Sequence, residues 1–358
     1  MAELSILEPY ASRMQVLIDS ALALFDPTWF ERYFAIDTPQ VGLTFETIIG
    51  RARIEAAATV ASRDGETPLR SRPGLDKVKQ EIPVLKEMFK MSETDWRNYE
   101  IMRALQTTDA ARRDQMLKLL FDDLTKAGNS VMKRMDIFCL QAVSTGQISL
   151  DISINPDGIV WQDPIDLLMP DSNYKTSSVS WSDTANAKPF DDIQVVVEEA
   201  KGKGKTFVKM LITPNVWYKL IKIDSVKSII SNYIGQRQTA IMPTIANVNA
   251  FLTDQGWPVF ELVDQQIGIE KDGKISVIKP FDQNNVSFIP AGRLGTIKNA
   301  LAVEQLRPVA NVQYATFKSA LLSKWSQNEP FSEFTKVEWN AFPSVDTIDN
   351  IFILTAIH

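Results

Sequence analysis

Histidine and cysteine, the residue types most used in nucleophilic and metal chemistry, each occur once in the 358 residues. The histidine is His358, at the end of the chain, and the cysteine is Cys139, which lies among apolar residues. A catalytic imidazole has to be held rigidly in a cleft, and a chain end holds it poorly. We therefore expect no Ser-His-Asp or Cys-His catalysis, no disulfide within the chain and no multi-cysteine metal site.

The sequence Glu199-Glu-Ala-Lys-Gly-Lys-Gly-Lys-Thr206 is the nearest approach to a phosphate-binding loop. A glutamate stands where that motif requires its first glycine, and the stretch follows a predicted helix rather than a strand. We interpret it as the end of a helix with glycines and a lysine-rich last turn. The G-x-G-x-x-G and G-x-S-x-G motifs do not occur, so neither a Rossmann cofactor nor a hydrolase nucleophile elbow is indicated.

Three pairs of adjacent carboxylates offer the remaining acid chemistry: Asp122/Asp123, Asp191/Asp192 and Glu198/Glu199. Such pairs are used in glycoside hydrolysis and in binding divalent metals. Adjacent residues on a helix point about 100° apart, so the two acids of a pair do not converge on one substrate. Solvated helix faces are the favoured interpretation, and we predict no catalytic residue, no metal ligand and no cofactor.

Chain length and charge indicate how many domains the chain forms and which classes of partner it can bind. A chain of 40.3 kDa exceeds what a single core usually serves, so two or three domains are expected. The net charge of −6 gives no overall attraction to nucleic acid. The charge is nevertheless uneven, with −4 over residues 1–38 and +3 over residues 51–80. No apolar run approaches the roughly 18 residues that span a bilayer, so no membrane contact is expected.

The first 90 residues read as an arm followed by a long hairpin. Apolar residues recur at helical spacing from Leu4 to Phe25, before Asp26-Pro27 interrupts the pattern. From Val41 to Phe89 extended segments flank the basic stretch SRDGETPLRSRPG, which has too few apolar residues to join a core. Neither the arm nor a two-stranded ribbon can bury itself within a monomer, so we expect neighbouring subunits to cover both.

The middle of the chain predicts a long helix and then a β-hairpin. Ser92 and Asp95 are spaced as in a capping box, and apolar residues step by three or four from Leu117 to Ala142, with Gly146 as a C-terminal cap. Alternation from Ile148 to Ile154 and the return at 159–161 predict a hairpin. The polar stretch SNYKTSSVSWSDTANAKPFDD is expected to run across the exterior.

Residues 191–302 predict an α/β unit, and the end of the chain predicts strands. A helix at about 191–201 precedes the strand FVKMLIT, and Thr213-Pro214 begins another helix. Short strands follow at VFELV, IGIEK, KISVIK and VSFIP, with a Lys271-Asp-Gly-Lys274 turn. Strand-like runs at 309–314, 334–339 and 350–357 complete the prediction.

The order of these elements resembles the major capsid proteins of tailed bacteriophages, in the lambda-type phage capsid E family of the Hong Kong 97 fold. Four stretches carry the resemblance: FDPTWFERYF at the junction of arm and hairpin, VSWSD with PFDDI, KTFVKMLITPNVWYKLIK, and FIPAGRLGTIKNALAVE. The resemblance implies an α+β Hong Kong 97-type capsid fold with an N-terminal arm (1–38) and an extended loop, a long β-hairpin (39–90). It further implies a peripheral domain with a spine helix (91–165 and 303–358) and an α/β axial domain with its leading surface segment (166–302).

The resemblance also implies a function and partners. We expect a structural major capsid protein, not an enzyme, that self-assembles into hexamers and pentamers of an icosahedral head shell. The implied partners are other copies of the chain, a separate scaffolding protein, a portal and packaged double-stranded DNA bound without sequence specificity, with a decoration protein left open. The expected location is the virion, after assembly in the host cytoplasm.

The charged hairpin and the arm junction supply the candidate contacts between subunits. These residues are Asp26, Trp29, Arg51, Arg53, Arg63, Arg70, Arg72, Lys77 and Lys79. The aromatic residues of the junction also have an ordinary interpretation as core packing. Two other functions stay open from the sequence: a carboxylate-dependent glycoside hydrolase and a monomeric binding module.

Overall fold

The computed structural model of the chain describes residues 26–50, 75–104, 110–235 and 242–358. In this part, the helices are α1 (Glu93–Ala104), α2 (Ala110–Thr145), α3 (Pro189–Gly202), α4 (Pro214–Leu220), α5 (Asp224–Tyr233), α6 (Ile245–Asp254) and α7 (Val303–Leu306). Single 3-10 turns lie at Phe30–Arg32, Asp171–Asn173 and Ile348–Asn350.

The strands range from two to thirteen residues. They are β1 (Phe34–Ile36), β2 (Thr44–Gly50), β3 (Leu75–Glu81), β4 (Val84–Ser92), β5 (Gln147–Ile148), β6 (Ile165–Asp166), β7 (Tyr174–Thr176), β8 (Lys209–Ile212), β9 (Val259–Leu262), β10 (Ile267–Lys271), β11 (Lys274–Ile278), β12 (Asn285–Ile289), β13 (Gly295–Ala300), β14 (Gln313–Phe317), β15 (Ala320–Gln327), β16 (Ser332–Ser344) and β17 (Phe352–Thr355).

The chain divides into two compact units, of which the first is built on a sheet in the order β1-β13-β16-β15-β14. Of the described residues, it holds 26–45, 79–104, 110–136 and 296–344. The long strand β16 organises this sheet, because it pairs antiparallel with β15 and β4 on its two edges over residues 332–340 and with β13 at residues 340–344. Aromatic rings fill the core, and Phe30 packs 6.3 Å from Trp339 between ring centroids.

The second unit is built on a five-stranded sheet in the order β7-β17-β12-β8-β9. Of the described residues, it holds 46–50, 75–78, 137–235, 242–295 and 345–358. Strand β17 runs antiparallel to β12 and parallel to β7, so it lies inside the sheet rather than at an edge. Buried side chains of α3, α4, α5 and α6 form one core with those of β8, β12 and β17.

Several local signals in the sequence predict their elements correctly. Helix α2 runs for 36 residues and is followed by Gly146, whose φ of 72° lies in the left-handed region that favours glycine. Ser92 and Asp95 form the expected reciprocal cap, since the Ser92 amide donates to Asp95 Oδ2 and the Asp95 amide donates to Ser92 Oγ. Thr213 caps α4 by accepting from the amide of Val216.

The prediction of a β-hairpin at residues 148–161 is wrong. Strand β5 is only Gln147–Ile148, and it pairs with β6 at Ile165–Asp166. The alternation of isoleucines that predicts a strand is interrupted because the Asp151 carboxylate accepts hydrogen bonds from the amides of Ser153 and Ile154, which folds the chain into a turn. The segment between β5 and β6 is therefore an ordered loop.

The polar stretch at 172–192 was predicted to run across the exterior. This prediction is wrong in part, because two of its side chains are fully buried. Asn173 is fully buried, and its Nδ2 donates to the carbonyl oxygens of Asp349 and Ile351. Trp181 is fully buried as well. Turn-forming residues satisfy buried backbone groups as readily as they face water, so their abundance did not settle where the stretch lies.

Two strands of the C-terminal third, β13 and β15, were not predicted, and β14 begins later than predicted. The compact units also divide the chain at other points than the predicted arm, loop, peripheral and axial domains. Strand β17, for example, is grouped with β8 and β12, although 303–358 was expected to complete the peripheral domain. The fourfold domain division stays a prediction.

Candidate functional site

Acidic residues of the described chain bind partners within their own chain. No group of three or more histidine, cysteine or acidic residues is placed to hold a metal ion there. Glu199 binds Lys175 and Lys203 at 2.6 and 2.8 Å, and these contacts lower its pKa. Its neighbour Glu198 instead accepts from Gln194, so the two carboxylates of this pair serve different partners.

The stretch that ends in Gly-Lys-Thr is the end of a helix, as predicted. Helix α3 ends at Gly202, and the amide of Lys205 turns back to donate to the carbonyl of Ala200 at 2.9 Å. Gly204 has a φ of 74°. The Lys205 side chain is buried and pairs with Asp349, so it is not offered to a phosphate.

The junction at residues 26–34 is fastened to the long helix α2 by one buried carboxylate. Asp136 accepts from the amide of Phe30 at 2.8 Å and from the amide of Trp29 at 3.2 Å. These amides begin a 3-10 turn and have no partner within it, so a carboxylate here satisfies two donors that burial would otherwise leave unpaired. Asp136 therefore fixes the position of the junction against α2.

Two of the predicted contact residues lie in this junction. Asp26 pairs with Lys133 of α2 at 2.8 Å, and its amide donates to Asn129 Oδ1 at 3.2 Å. The Trp29 ring is 2% exposed and lies 5.1 Å from the Tyr33 ring between centroids. Packing inside its own chain accounts for the Trp29 ring, as in the core interpretation, and a contact of either residue with a neighbouring subunit stays a prediction.

Burial dominates the electrostatics of the junction. It raises the pKa of Asp136 to about 6, although the hydrogen bonds from Phe30 and Trp29 act in the opposite direction. The ordinary pKa of an aspartate is about 3.9, so the folded chain holds this proton more tightly than the unfolded chain does. The role of Asp136 was not predicted from the sequence, where its signal is a lone acid between apolar positions of the helix stripe.

The raised pKa predicts a specific pH dependence of stability. Between pH 7 and pH 5 the folded state takes up a proton at Asp136 that the unfolded state does not, so the free energy of unfolding should rise by about 1 kcal/mol. The carboxylates with lowered pKa, such as Glu199 and Glu304, lose stabilisation only at lower pH. Urea titrations between pH 7 and pH 5 measure how the free energy of unfolding changes with pH.

The Asp136→Asn variant serves as the test. Asparagine carries no titrating proton, so the rise should disappear in this variant and persist in the control Asp157→Asn, at an exposed position. A variant that keeps the full rise would show that another group is responsible for it.

The base of the predicted hairpin is a two-stranded sheet of β2 and β3. The amide of Ile82 donates to the carbonyl of Leu43 at 2.7 Å, which holds the two sides together where they leave the first unit. Lys77 and Lys79 lie on β3. The remaining basic candidates lie outside the described residues: Arg51, Arg53, Arg63, Arg70 and Arg72.

A second buried carboxylate fixes the tryptophan segment that resembles the capsid family. Asp192 of α3 accepts from Trp181 Nε1 at 3.0 Å through Oδ2, and from the amide and hydroxyl of Ser178 through Oδ1. The amide of Trp181 donates to the carbonyl of Ala356. One member of a supposed carboxylate pair is therefore a structural acceptor, while its neighbour Asp191 is exposed.

No helix in the described ranges has the length and apolar character needed to cross a membrane. Among known structures, the chain is similar to the capsid protein of a prophage of Escherichia coli CFT073, with a TM-score of 0.57, 14% identity and 98% of each chain covered. It is also similar to a phage-related protein of Bordetella bronchiseptica RB50, with a TM-score of 0.52, 11% identity, and 95% of this chain and 96% of that one covered.

These similarities show the fold, which is the α+β capsid fold of the Hong Kong 97 type that the sequence predicts. No curated protein sequence gives a significant match. The family model described as phage major capsid protein E matches residues 32–356. This match supports a structural protein of a phage capsid shell, and it supports neither a glycoside hydrolase nor a monomeric binding module. Because the match spans nearly the whole chain, the protein belongs to the phage major capsid protein E family.

Proposed function

We propose that the chain forms hexamers and pentamers that build the icosahedral head shell of a phage around its DNA. The observation that carries the proposal is the family match over residues 32–356, on a chain with the capsid fold. Assembly into multimeric shells follows from the family. The hexamers, the pentamers and the enclosed genome are the finer part of the proposal.

The structure supports a role in assembly by showing elements with little support inside one subunit. Strands β2 and β3 pair only with each other in the described residues. A two-stranded ribbon is marginal in water, because ordering each residue costs about 1–2 kcal/mol that a single ladder does not repay. Contacts with neighbouring copies are the natural source of the missing stabilisation, in line with the predicted extended loop at 39–90 and arm at 1–38.

Particle size tests the proposal directly. The purified chain should sediment as large particles. Negative-stain microscopy should show closed shells in which the subunits are arranged around threefold, fivefold and sixfold positions. An enzyme or a binding module of this length would instead run near 40 kDa. A chain that stays monomeric at every concentration, with and without a co-expressed scaffolding protein, would contradict the proposal.

The further partners follow from the same role. We infer a portal at one vertex, a separate scaffolding protein during assembly and double-stranded DNA held without sequence specificity, with assembly in the host cytoplasm. The net charge of −6 argues against strong general attraction to DNA, so the packaged genome should contact the shell only locally.

The basic hairpin supplies a test of the predicted contacts. Replacing Arg70, Arg72, Lys77 and Lys79 by Glu reverses four charges that we propose contact the acidic arm of a neighbouring subunit. Each exposed pair contributes only about 0–1 kcal/mol, but the contact recurs in every copy and also steers association. The variant should therefore fold normally and assemble slowly or not at all, as counted by microscopy in the absence of DNA.

Salt and a competing role sharpen this test. Early assembly of the wild-type chain should weaken as salt is raised, since the screening length falls to about 3 Å at 1 M. If the same residues instead bind the genome, the four-Glu variant will give a normal yield of empty shells and a defect only in DNA retention. A normal shell yield would therefore overturn the intersubunit role of these residues.

A further inference from the structure

The first unit carries a surface patch in which exposed apolar side chains alternate with basic ones. The apolar members of this basic apolar patch are 46% to 68% exposed, and they are Val41, Leu43, Val84, Met88, Val303 and Leu306. Single exposed apolar residues are normal on a protein surface, but a cluster of them marks an interaction site.

Hydrogen bonds and strand register bring these residues together. Met88 lies opposite Lys336 in the β4–β16 pair, and Lys336 binds Glu304, the neighbour of Val303, at 2.9 Å. The two apolar residues of α7 are three positions apart, so they share one face of the helix. On the other side, the amide of Leu301 donates to the carbonyl of Gln40 and thereby brings residues 40–43 to the same region.

The same surface is basic. Along β4 every second residue faces outward, and these residues are in turn Val84, Lys86, Met88 and Lys90. Apolar and basic side chains therefore alternate on this face. Arg307 is exposed directly after α7. The acids of this face, Glu304 and Glu338, already bind lysines of β4 and β16.

The second unit carries the opposite combination in residues 149–168, here called the acidic loop. It includes Asp151, Asp157, Asp163 and Asp166, and no lysine or arginine occurs between Arg134 and Lys175. Its exposed apolar side chains are 46% to 73% exposed, and they are Ile152, Ile159, Val160 and Leu168. The loop therefore offers apolar contacts in a negative field.

The acidic loop is ordered by its own hydrogen bonds, although it contains little regular structure. Asp151 Oδ1 accepts from the hydroxyl of Ser153 at 2.6 Å as well as from two amides, and these bonds lower the pKa of Asp151. Asn155 Nδ2 donates to the carbonyl of Ile159, and the amide of Trp161 donates to the carbonyl of Leu150. A surface ordered in advance loses less conformational entropy when a partner binds.

We propose that the basic apolar patch of one copy docks on the acidic loop of a second copy. The inference rests on the proposed function, because a shell is made of many copies of the chain. The charge complementarity of the two surfaces argues for this occupant, and the apolar residues on both sides supply the area that stabilises the contact. Because two different surfaces meet, the contact is head-to-tail, which generates a ring of subunits where the rotation between copies closes.

Charge reversal at exposed positions tests the contact without touching either core. The patch variant combines Lys90→Glu with Arg307→Glu, and the loop variant combines Asp157→Lys, Gln162→Lys and Asp163→Lys, which together make the loop net positive because only Asp151 and Asp166 remain as acids. Each variant presents like charges on both surfaces. We expect the yield of associated particles, measured by sedimentation velocity, to fall about tenfold or more in each, with an unchanged thermal transition by circular dichroism.

Recombining the charges gives the decisive result. The chain with all five substitutions has an acidic patch and a positive loop, so it again has opposite charges on the two surfaces and should regain association. An equimolar mixture of the patch and loop variants should also associate, because each surface of one finds its complement on the other. Such rings alternate the two chains, so they close with six subunits but not with five.

Each outcome has a fixed meaning. Association of either variant at the wild-type level, or failure of both the five-substitution chain and the mixture to recover, would overturn the inference; the second result would mean that the patch binds another segment, such as the arm, or another protein. An equal loss of association in the control variant, Lys201→Glu with Lys222→Glu, would show that the total charge of the chain is responsible. That result would overturn the inference as well. A wild-type chain that never associates would contradict both the inference and the proposed function.

Discussion

Replacing Trp217 by alanine should lower the free energy of unfolding by about 3–5 kcal/mol, the range measured when large aromatic side chains are removed from cores. The ring is 7% exposed and packs edge-on against Phe260 of β9, with 6.3 Å between centroids. Its neighbours in the same core include Met210 and Ile212 of β8, so the truncation opens a cavity against the sheet.

The adjacent residue on α4 supplies the control. Tyr218 is 59% exposed, and Tyr218→Ala should change stability by no more than about 0.5 kcal/mol. Urea titration of the unassembled chain at low concentration, followed by circular dichroism, compares the two. Equal effects of the two substitutions would contradict the placement of Trp217 in the core of the second unit.

The second large effect is expected at the ion pair between β15 and β16. Lys324 Nζ lies 3.0 Å from Glu333 Oε1, and the two side chains are only 3% and 2% exposed. Removing one partner leaves the other charge buried without compensation, so Glu333→Ala should cost about 3–5 kcal/mol. The loss should appear in the same urea titration as a lower transition midpoint.

Two comparisons separate this effect from a simple loss of side-chain contacts. Replacing both residues, by Lys324→Met with Glu333→Leu, removes the charges together and should cost much less than Glu333→Ala alone. The exposed pair of Arg97 and Glu93 on α1 is the control, and Glu93→Ala should cost less than about 1 kcal/mol. A double substitution as damaging as the single one would show that the pair itself stabilises the sheet.

Elements specified by nearby residues were predictable, and those specified by distant residues were not. The cap at Thr213, the turn at Asp272-Gly273 and the end of α2 at Gly146 each depend on two to four adjacent residues. Strand β13, in contrast, exists through its pairing with residues 340–344, some 40 positions away. A sequence such as GTIKNA carries no alternation strong enough to indicate that pairing on its own.

The site residues differ in what specifies them. Charge and order along the chain predict contacts at Asp26, Trp29 and the basic hairpin, and these contacts stay predictions. The carboxylates that hold the structure, Asp136 and Asp192, were missed or misread because their partners are backbone amides and an indole brought there by folding. Composition shows that a carboxylate is present, but only the folded chain shows which donors it satisfies.

The position of β17 inside its sheet has a consequence for synthesis on the ribosome. Strand β17, residues 352–355, lies between β7 and β12, and these two strands do not pair with each other. The sheet therefore cannot form completely until β17 has emerged from the ribosome. A nascent or prematurely terminated chain that lacks these residues keeps two unpaired strand edges and a split core. We therefore expect incomplete translation products not to reach the native state, so a growing shell would draw only on chains translated past this strand.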